Sequence, residues 1–339
     1  MVTPLRSRLG HGRVIGPGGV NGAGETADRT TGSYHRIENI LLFGNVQVTT
    51  QAIAEALDKG TGVSFFTRNG RFRGALRSSS GKNVELRLAQ YGAYKDHGRS
   101  LELAKATVRT KVRNGLEVVA RYEGRDTASD LTPELRAVME AQIVGLEAAT
   151  NAAELDGYEG AAAKAYFEAL MKFNRSEFAW PGRVKHPATD PINALLSLAY
   201  TLVIEELNGM VEGVGLDPAI GFLHEVDGSR PTMALDLMEP FRHPVCDRFV
   251  MAAVNRGMFR AEDFAARDDH GGLVLEPGAM RRFFEGYEEW MQAGSEGSFR
   301  RALQREVEKV GAALRDGGEW VPFGWPAVSE AVVGEEVAA

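Results

Sequence analysis

The stretch from residue 190 to residue 215, "DPINALLSLAYTLVIEELNGMVEGVG", predicts a long helix and sets the class of the fold. Asp190 is a favoured N-cap residue, and Pro191 follows at the first helical position, where its missing N–H is not needed. Gly213 or Gly215 is expected to end the helix. The residues between these signals are mostly apolar, which indicates that the chain is helical in this region.

Helical patterns continue on both sides of this stretch. "LTPELRAVMEAQIVGLEAAT", residues 131–150, opens with Thr132 as an N-cap and Pro133 at the first helical position. The other predicted elements are a long basic helix or helix pair over residues 100–122, and helices over 156–173, 244–257, 276–292 and 297–316. We therefore predict an α-helical domain over residues 91–325, followed by an acidic tail at 326–339.

Residues 34–90 are predicted to form a small β-rich domain. Asn69 and Gly70 in "GVSFFTRNGRFRGAL" are typical of a tight hairpin between two strands. "VELRL" alternates like a further strand, and "TQAIAEALDKG" predicts a short helix that ends at Gly60. Residues 1–33 have no sustained period, so we expect them to be irregular and mostly disordered. The predicted fold class is α+β.

The composition is that of an ordinary globular protein. The chain has 339 residues, of which 44% are hydrophobic and 25% charged, and this length is enough for two domains. Cys246 is its only cysteine, which excludes a disulfide framework or a Cys-based zinc site within the chain and favours a reducing compartment. There is no apolar signal segment and no run of about 18 apolar residues, so we predict a cytoplasmic protein without a membrane span.

The charge is unevenly distributed along the chain. The net charge is −7, yet residues 68–125 hold 14 Lys and Arg against 5 Asp and Glu. Residues 126–339 hold 19 against 36. The basic segment is suited to the phosphates of a nucleic acid, and it is equally suited to an ordinary solvated surface.

The segment "FNRSEFAWPGRVKHP", residues 173–187, mixes cations with aromatic residues. Its cations are Arg175, Arg183, Lys185 and His186, and its aromatic residues are Phe173, Phe178 and Trp180. This composition suits backbone contacts and base stacking on a nucleic acid, and it also suits a long loop. No Walker loop, GxSxG elbow or dinucleotide fingerprint occurs, so nothing in the sequence indicates those classes of enzyme.

Residues 222–244, "FLHEVDGSRPTMALDLMEPFRHP", hold one histidine and two carboxylates of interest. Asp236 and Glu239 are three residues apart, so a helical turn brings them to one face, and Pro240 bends or ends that helix. His224 closes an apolar run. A histidine with two or three carboxylates is a plausible ligand set for Mn²⁺ or Mg²⁺, whereas a lone histidine beside an apolar run is typical of the core.

Glu159 is a third carboxylate in an unusual setting. In "DGYEGAAAKAYFEAL" it shares a helix face with Ala162, Ala163 and Tyr166. A carboxylate on an apolar face is costly to bury without a cation or a donor, and the small alanines leave room for a ligand. The alternative is a glutamate near a helix start, where the helix dipole favours it.

A polar stripe of Asn193, Ser197 and Tyr200 runs along the otherwise apolar helix of residues 190–215. Two interpretations stay open. The stripe either bonds to neighbouring helices or supports a site from behind its ligands.

Five blocks of the chain together resemble the CRISPR-associated endonuclease/integrase family, the first and larger of the two universal Cas adaptation proteins. The blocks are "ILLFGNVQVTTQAI", "GVSFFTRNGRFRG", "LDGYEGAAAKAYF", "DPINALLSLAYTLV" and "GLDPAIGFLHEVDGSRPTMALDLMEPFR". Their order and spacing extend the resemblance over residues 35–320. It implies an N-terminal β-sandwich domain, through which the chain forms a homodimer, and a helical catalytic domain.

The resemblance also implies the activity and the site. Members act as metal-dependent DNA nucleases and as integrases, and with a small second Cas protein they insert captured double-stranded DNA, the protospacer, into the repeat of a CRISPR array. The family's glutamate falls on Glu159, its histidine on His224 and its final acidic ligand on Glu239. These three are expected to hold Mn²⁺ or Mg²⁺. Asp236 is expected to support catalysis, either as a ligand, by orienting His224, or through water.

The expected phosphate contacts come from the basic segment and the loop after it, namely Arg109, Arg113, Arg175, Arg183 and Lys185. Residues 1–33 depart from the family, whose members usually begin with β-strands, and a misassigned start would explain the difference. Two other functions stay open: a general metal-dependent repair nuclease and a non-catalytic DNA-binding subunit.

Overall fold

The computed structural model describes residues 2–6, 37–67, 72–78, 83–123, 132–184, 187–226, 228, 230–266, 271–293 and 298–326. These residues form a small mixed sheet followed by a mostly helical body, as the α+β prediction requires. The predicted tail at 326–339 lies outside the described residues except for its first position.

The sheet has four strands in the order β1, β2, β3, β4. They are β1 (Val2–Arg6), β2 (Ile37–Phe43), β3 (Gly62–Phe66) and β4 (Phe72–Leu76). β2 and β3 are parallel and are connected through the helix α1 (Thr50–Asp58), whereas the outer pairs are antiparallel. β3 and β4 are therefore paired as the hairpin prediction requires, although Asn69 and Gly70 themselves lie outside the described residues.

Gly60 ends the short helix as predicted. Its φ of 72° is the left-handed conformation that glycine adopts without strain. At the other end of α1, the Thr49 side chain accepts a hydrogen bond from the backbone N–H of Ala52. Both ends of this helix are thus fixed by residues next to it in the sequence.

Two predictions in this region are wrong. Residues Val2–Arg6 form a strand and are not irregular. β1 is held by pairing with β2, and a local sequence pattern does not reveal such pairing. Residues 7–33 lie outside the described residues. "VELRL" is not a strand but the start of the helix α2 (Val84–Lys95). Asn83 caps this helix by accepting from the backbone N–H of Leu86, and a five-residue alternation does not outweigh that capping signal.

The helical body holds the remaining long elements. They are α3 (His97–Glu123), α4 (Pro133–Glu147), α5 (Ala152–Lys172), α6 (Pro191–Val214), α7 (Thr232–Phe241), α8 (Arg248–Asn255), α9 (Pro277–Gln292) and α10 (Phe299–Asp316). α3 is one helix, which decides between the single helix and the helix pair. A π-helical turn joins α7 to α8, and a two-stranded ribbon of β5 (Phe264–Ala266) and β6 (Leu273–Leu275) precedes α9. Thr132 stands at the N-cap of α4, but its side chain makes no capping hydrogen bond.

α6 runs through the middle of the body with the predicted ends. Asp190 accepts a hydrogen bond from the backbone N–H of Asn193, and Gly215 closes the helix at a φ of 96°. By length and composition α6 is apolar enough to cross a membrane, and 61% of its most apolar window is buried inside the protein. This burial is what the core helix of a folded domain shows.

One hydrophobic core joins the sheet to the helices. Leu41, Phe43 and Phe66 of the sheet are buried together with residues of the helical body. The ring of Phe43 stacks on Phe66, with centroids 4.7 Å apart, and also contacts Phe284 of α9 at 4.8 Å. The sheet is therefore packed against α9 of the helical body.

Candidate active site

The candidate active site lies where α3, α5, α7 and the loop before α7 meet. Glu159 comes from α5, Asp236 and Glu239 come from α7, and His224 comes from the loop between α6 and α7. Ion pairs and hydrogen bonds connect these side chains, so the structure brings the four predicted residues together. α5 begins at Ala152, about two turns before Glu159, so the interpretation of Glu159 as a helix-start residue is wrong.

Asp236 uses its carboxylate to hold the loop that carries His224. It accepts hydrogen bonds from the backbone N–H groups of Phe222 at 2.5 Å, Leu223 at 2.9 Å and His224 at 3.1 Å. Its Oδ1 also lies 2.7 Å from Nδ1 of His224. A β-carbon at Gly221 would come within 2.5 Å of Oδ2, which explains the glycine at that position. Both oxygens are engaged inside the protein, so this geometry supports the orienting role for Asp236.

His224 presents its other ring nitrogen to the site. The Asp236 carboxylate accepts from Nδ1, so in the neutral ring the proton is on Nδ1 and the lone pair is on Nε2. Nε2 lies 3.9 Å from Oε1 of Glu239. Burial lowers the pKa of His224, but the hydrogen bond to Asp236 and the negative charges of Asp236 and Glu239 outweigh it, so the pKa is raised overall. A carboxylate behind a histidine in this way is the usual support of a metal-binding imidazole.

Glu239 is buried and ionised. Arg242 grips both of its oxygens, with Nε 2.9 Å from Oε2 and Nη2 2.7 Å from Oε1. Nζ of Lys111 lies 2.5 Å from Oε2. Burial raises the pKa of Glu239, yet the positive charges of Arg242 and Lys111 outweigh it and hold the pKa far below its ordinary value. The residue is therefore a fixed negative charge inside the site.

Lys111 of α3 was missed by the sequence reasoning. Its ammonium contacts Oε1 of Glu159 as well as Oε2 of Glu239, so it joins three helices. The sequence does carry a signal for it. Lys111 falls on the same face of α3 as the buried residues Val108 and Gly115, and a cation on a buried face requires carboxylate partners.

Two carboxylates, those of Glu159 and Glu239, thus contact the ammonium of Lys111, and Nε2 of His224 lies 3.9 Å from Oε1 of Glu239. Oxygen and nitrogen ligands of this kind suit Mn²⁺ or Mg²⁺. Within the part of the chain that the structure describes, no three His, Cys, Asp or Glu side chains are close enough together to hold a metal ion. The physical reason at this site is that the ammonium of Lys111 stands between Glu159 and Glu239. The donor set fits a divalent cation in chemistry.

Asp156, one turn before Glu159 on α5, is a further residue that the sequence reasoning missed. Burial and the negative charge of Glu159 raise its pKa, while the charge of His224 lowers it. Asp156 is exposed, and the side chain of Glu159 is 27% exposed. The open side of the site is therefore acidic.

The polar stripe on α6 bonds mainly to neighbouring elements. The Asn193 amide donates to the carbonyl of Gly182 at 2.8 Å, and the Tyr200 hydroxyl donates to Asp247 in the π-helical turn. Tyr200 is connected to the site by Arg242, whose guanidinium lies 4.5 Å from the centre of the tyrosine ring. Tyr200 thus braces the arginine that grips Glu239.

The predicted phosphate contacts differ in their exposure and in their bonding partners. Arg113 on α3 and Arg175 in the loop after α5 are exposed. Arg109 is held by Glu147, with Nε 2.5 Å from Oε1 and Nη2 2.7 Å from Oε2. Arg183 is half-buried and donates to Oδ1 of Asn193 at 2.9 Å. Lys185 lies outside the described residues, as does His186.

The prediction of base stacking by the aromatic residues of this loop is wrong. Phe173, Phe178 and Trp180 are buried and belong to the hydrophobic core. Burying aromatic rings of this size in the core is more favourable in free energy than leaving them exposed at the surface. The loop itself is present as predicted over its described residues.

Comparisons with known proteins agree on one family. The family model "CRISPR associated protein Cas1" matches residues 23–289. A curated relative from Thermus thermophilus, named "CRISPR-associated endonuclease Cas1 3", is 36% identical over 252 residues, which are 74% of this chain and 73% of that one.

Solved structures show the same fold. A structure titled "Casposase bound to integration product" has a TM-score of 0.80 at 24% identity and covers 92% of this chain and 88% of that one. A "Cas6-RT-Cas1--Cas2 complex" has a TM-score of 0.76 at 22% identity, with coverage of 87% of this chain and 33% of that one.

Proposed function

Because the chain belongs to the Cas1 family of CRISPR-associated proteins, we propose that it is a DNA endonuclease and integrase of CRISPR adaptation. In this role it inserts captured DNA fragments as spacers into the CRISPR array and so serves antiviral defence. The cytoplasm, where chromosomal and invading DNA are found, is the proposed location.

The observation that most supports the proposal is that Glu159 and Glu239 meet at one cation position, with Nε2 of His224 3.9 Å from Oε1 of Glu239. Lys111 marks that position by contacting both glutamates. We propose that Glu159, Glu239 and Nε2 of His224 hold Mn²⁺ or Mg²⁺ there. When bound, the ion would polarise the scissile phosphate and stabilise the negative charge that develops on it.

The protein's own side chains prepare this site in three ways. Asp236 fixes the His224 ring so that the lone pair of Nε2 points toward Glu239. Arg242 keeps Glu239 ionised and in one orientation through two hydrogen bonds. Glu159 is partly exposed, so it lies on the side from which DNA would approach.

The proposed reaction is a transesterification. The 3′-hydroxyl of a captured fragment attacks a phosphodiester of the repeat, a new P–O bond forms, and the repeat strand leaves with a free 3′-hydroxyl. Water in place of the fragment gives hydrolysis and therefore nuclease activity. Arg113 and Arg175, which are both exposed, are the proposed phosphate contacts outside the site; Arg109 is paired with Glu147, and Arg183 donates to Asn193.

The proposed partners are double-stranded DNA, namely the protospacer and the CRISPR repeat, and the small second Cas protein. The structural relatives support this, since one is titled as a complex with Cas2 and the other as bound to an integration product. We further propose a homodimer formed through a β-sandwich domain over residues 34–90, to which strands β2, β3 and β4 of the sheet belong. Residues 91–325 form the proposed catalytic domain.

The test is a half-site integration assay with the purified chain, its small partner protein, Mn²⁺, a DNA fragment with free 3′ ends and a repeat-containing target. We expect joined product from the wild type and none from Glu159→Gln. Glu168→Gln is the matched control, because Glu168 is an exposed glutamate on the same helix, and it should join DNA normally.

The same assay separates the other functions. Cleavage without any joining would indicate a repair nuclease. DNA binding with neither cleavage nor joining would indicate a non-catalytic subunit. Either outcome would overturn the proposed integrase.

A further inference from the structure

Lys111 occupies an unusual place for a lysine. Its side chain is 8% exposed, and its ammonium contacts Glu159 from α5 and Glu239 from α7. A buried ammonium is strongly disfavoured unless carboxylates offset its charge. Lys111 and the two glutamates therefore stabilise one another in the protein without a bound metal.

The two glutamates depend on Lys111 to different degrees. Glu239 has a second cation, because Arg242 donates to both of its oxygens. Glu159 has 27% of its side chain exposed and can be solvated by water. The ammonium can therefore leave either carboxylate without stranding a buried and uncompensated charge.

A divalent ion at this position would meet Lys111 directly. Glu159, Asp236 and Glu239 supply three negative charges, and Lys111 and Arg242 already offset two of them. If Lys111 stays, adding a double positive charge gives these five side chains and the ion a net positive charge. Like charges at contact distance repel strongly in a partly buried site. The phosphate of a bound DNA would bring the missing negative charge.

We propose that Lys111 is an internal counter-cation that occupies the metal position in the metal-free protein and competes with the divalent ion for Glu159 and Glu239. The inference rests on the metal site of the proposed function. It makes metal binding weak without DNA, because the ion must displace an ammonium. A phosphate in the site restores the charge balance and so favours metal binding when substrate is present.

The test measures Mn²⁺ binding to the full chain without DNA by isothermal titration calorimetry. Lys111→Met and Lys111→Gln remove the competing charge and are expected to bind Mn²⁺ at least about tenfold more tightly than the wild type. Lys111→Arg keeps the charge and is expected to bind no more tightly than the wild type.

Lys105→Met is the matched control. Lys105 lies on the same helix, its side chain is also 8% exposed, and it is paired with Glu102 at 3.3 Å and with the carbonyl of Glu147 at 3.1 Å. Its removal costs a comparable ion pair away from the site. Mn²⁺ affinity should therefore stay at the wild-type value.

The thermal midpoint gives a second readout. Without Lys111 the two glutamates repel each other, so the midpoint of Lys111→Met should fall in metal-free buffer and rise with Mn²⁺ by more than that of the wild type. If Lys111→Met does not fold, Lys111→Gln decides the matter, because its amide can still donate to a carboxylate.

The outcomes also separate this inference from the metal site itself. Mn²⁺ binding that is lost in Glu159→Gln but unchanged or weaker in Lys111→Met and Lys111→Gln overturns the role of Lys111 alone. Mn²⁺ binding that survives Glu159→Gln, or absent binding in every variant, contradicts the proposed metal site and the inference with it.

Discussion

At the scale of single residues, Asp236 is a carboxylate next to the site whose two oxygens are both engaged inside the protein. Its acceptor positions are taken up by three backbone N–H groups and by the ring of His224. What it contributes is the orientation of one imidazole and of the loop that carries it. Glu239, one turn later on the same helix, keeps an oxygen toward Lys111 instead.

This difference predicts unequal effects of two conservative substitutions. Asp236→Asn keeps the shape but cannot accept all four hydrogen bonds, so the affinity for Mn²⁺ is expected to fall by about 10- to 100-fold. Glu239→Gln removes a proposed ligand and should abolish specific binding. Calorimetric titration of both variants checks this, and complete loss in Asp236→Asn with a folded protein would indicate that Asp236 is itself a ligand.

The sequence was enough to name Glu159, His224, Asp236 and Glu239, because each stands out against the apolar pattern or matches the family blocks. It was not enough for Lys111, whose partner Glu159 is 48 residues away. Arg242 was passed over as well, although it lies only three residues after Glu239. Their roles depend on how three helices meet, which a single helix pattern does not contain.

At the scale of elements, α3 carries both an internal cation and a candidate DNA contact. Lys111 faces the site, while Arg113, two residues later, is exposed. Arg109 is also on this helix, but its charge is neutralised by Glu147. The three cations on this helix therefore differ: Lys111 is buried, Arg109 is paired with Glu147, and Arg113 is exposed.

Arg113→Ala is expected to weaken the binding of double-stranded DNA and to reduce the salt dependence of the affinity by about one unit of logarithmic slope. Arg109→Ala should change that slope less, because its charge is already paired. Fluorescence anisotropy over a range of salt concentrations measures both. Equal slopes for Arg113→Ala and the wild type would remove Arg113 from the DNA interface.

α10 contains a buried carboxylate that makes stability depend on pH. Burial raises the pKa of Glu306 to about 7, although the charge of Lys309 and hydrogen bonds from Phe323 and Trp320 act the other way. The folded protein keeps the proton above the ordinary pKa of 4.5, where the unfolded chain has lost it. This contribution to stability is full below the ordinary pKa and is lost as the pH rises through the raised one.

Between about pH 5 and about pH 8, the free energy of unfolding should therefore fall less in Glu306→Gln than in the wild type. The two falls should differ by on the order of 3 kcal/mol at most. Urea unfolding at the two pH values measures the difference. Glu308→Gln, on the exposed side of the same helix, is the control and should keep the wild-type fall. An identical fall in Glu306→Gln would show that Glu306 is not the group responsible.

The long, capped helix α6 was predicted well, whereas two short segments were not. α6 begins after Asp190 and ends at Gly215, as the local signals indicate. β1 and the start of α2 were misassigned, since five residues carry too little pattern to decide between strand, helix and loop. The buried rings of residues 173–187 show the same limit, because a loop's composition does not reveal which way its side chains face.

At the scale of the whole molecule, the site is tied to the last described segment of the chain. Asn114, one turn after Lys111, donates to the carbonyls of Pro240 at 2.6 Å and Phe323 at 2.8 Å, and it accepts from the backbone N–H of Trp325 at 2.7 Å. One buried amide thus fixes α3, the end of α7 and the segment after α10 relative to one another. The position of Glu239 next to Lys111 depends on this packing.

The most direct test of the central claim is the location of manganese in crystals of the full chain, determined by anomalous scattering. We expect one strong peak about 2.0 to 2.4 Å from oxygens of Glu159 and Glu239 and from Nε2 of His224. The ammonium of Lys111 should be displaced from at least one of the two glutamates. A peak bound elsewhere, or manganese absent from these three side chains at saturating concentration, would contradict it.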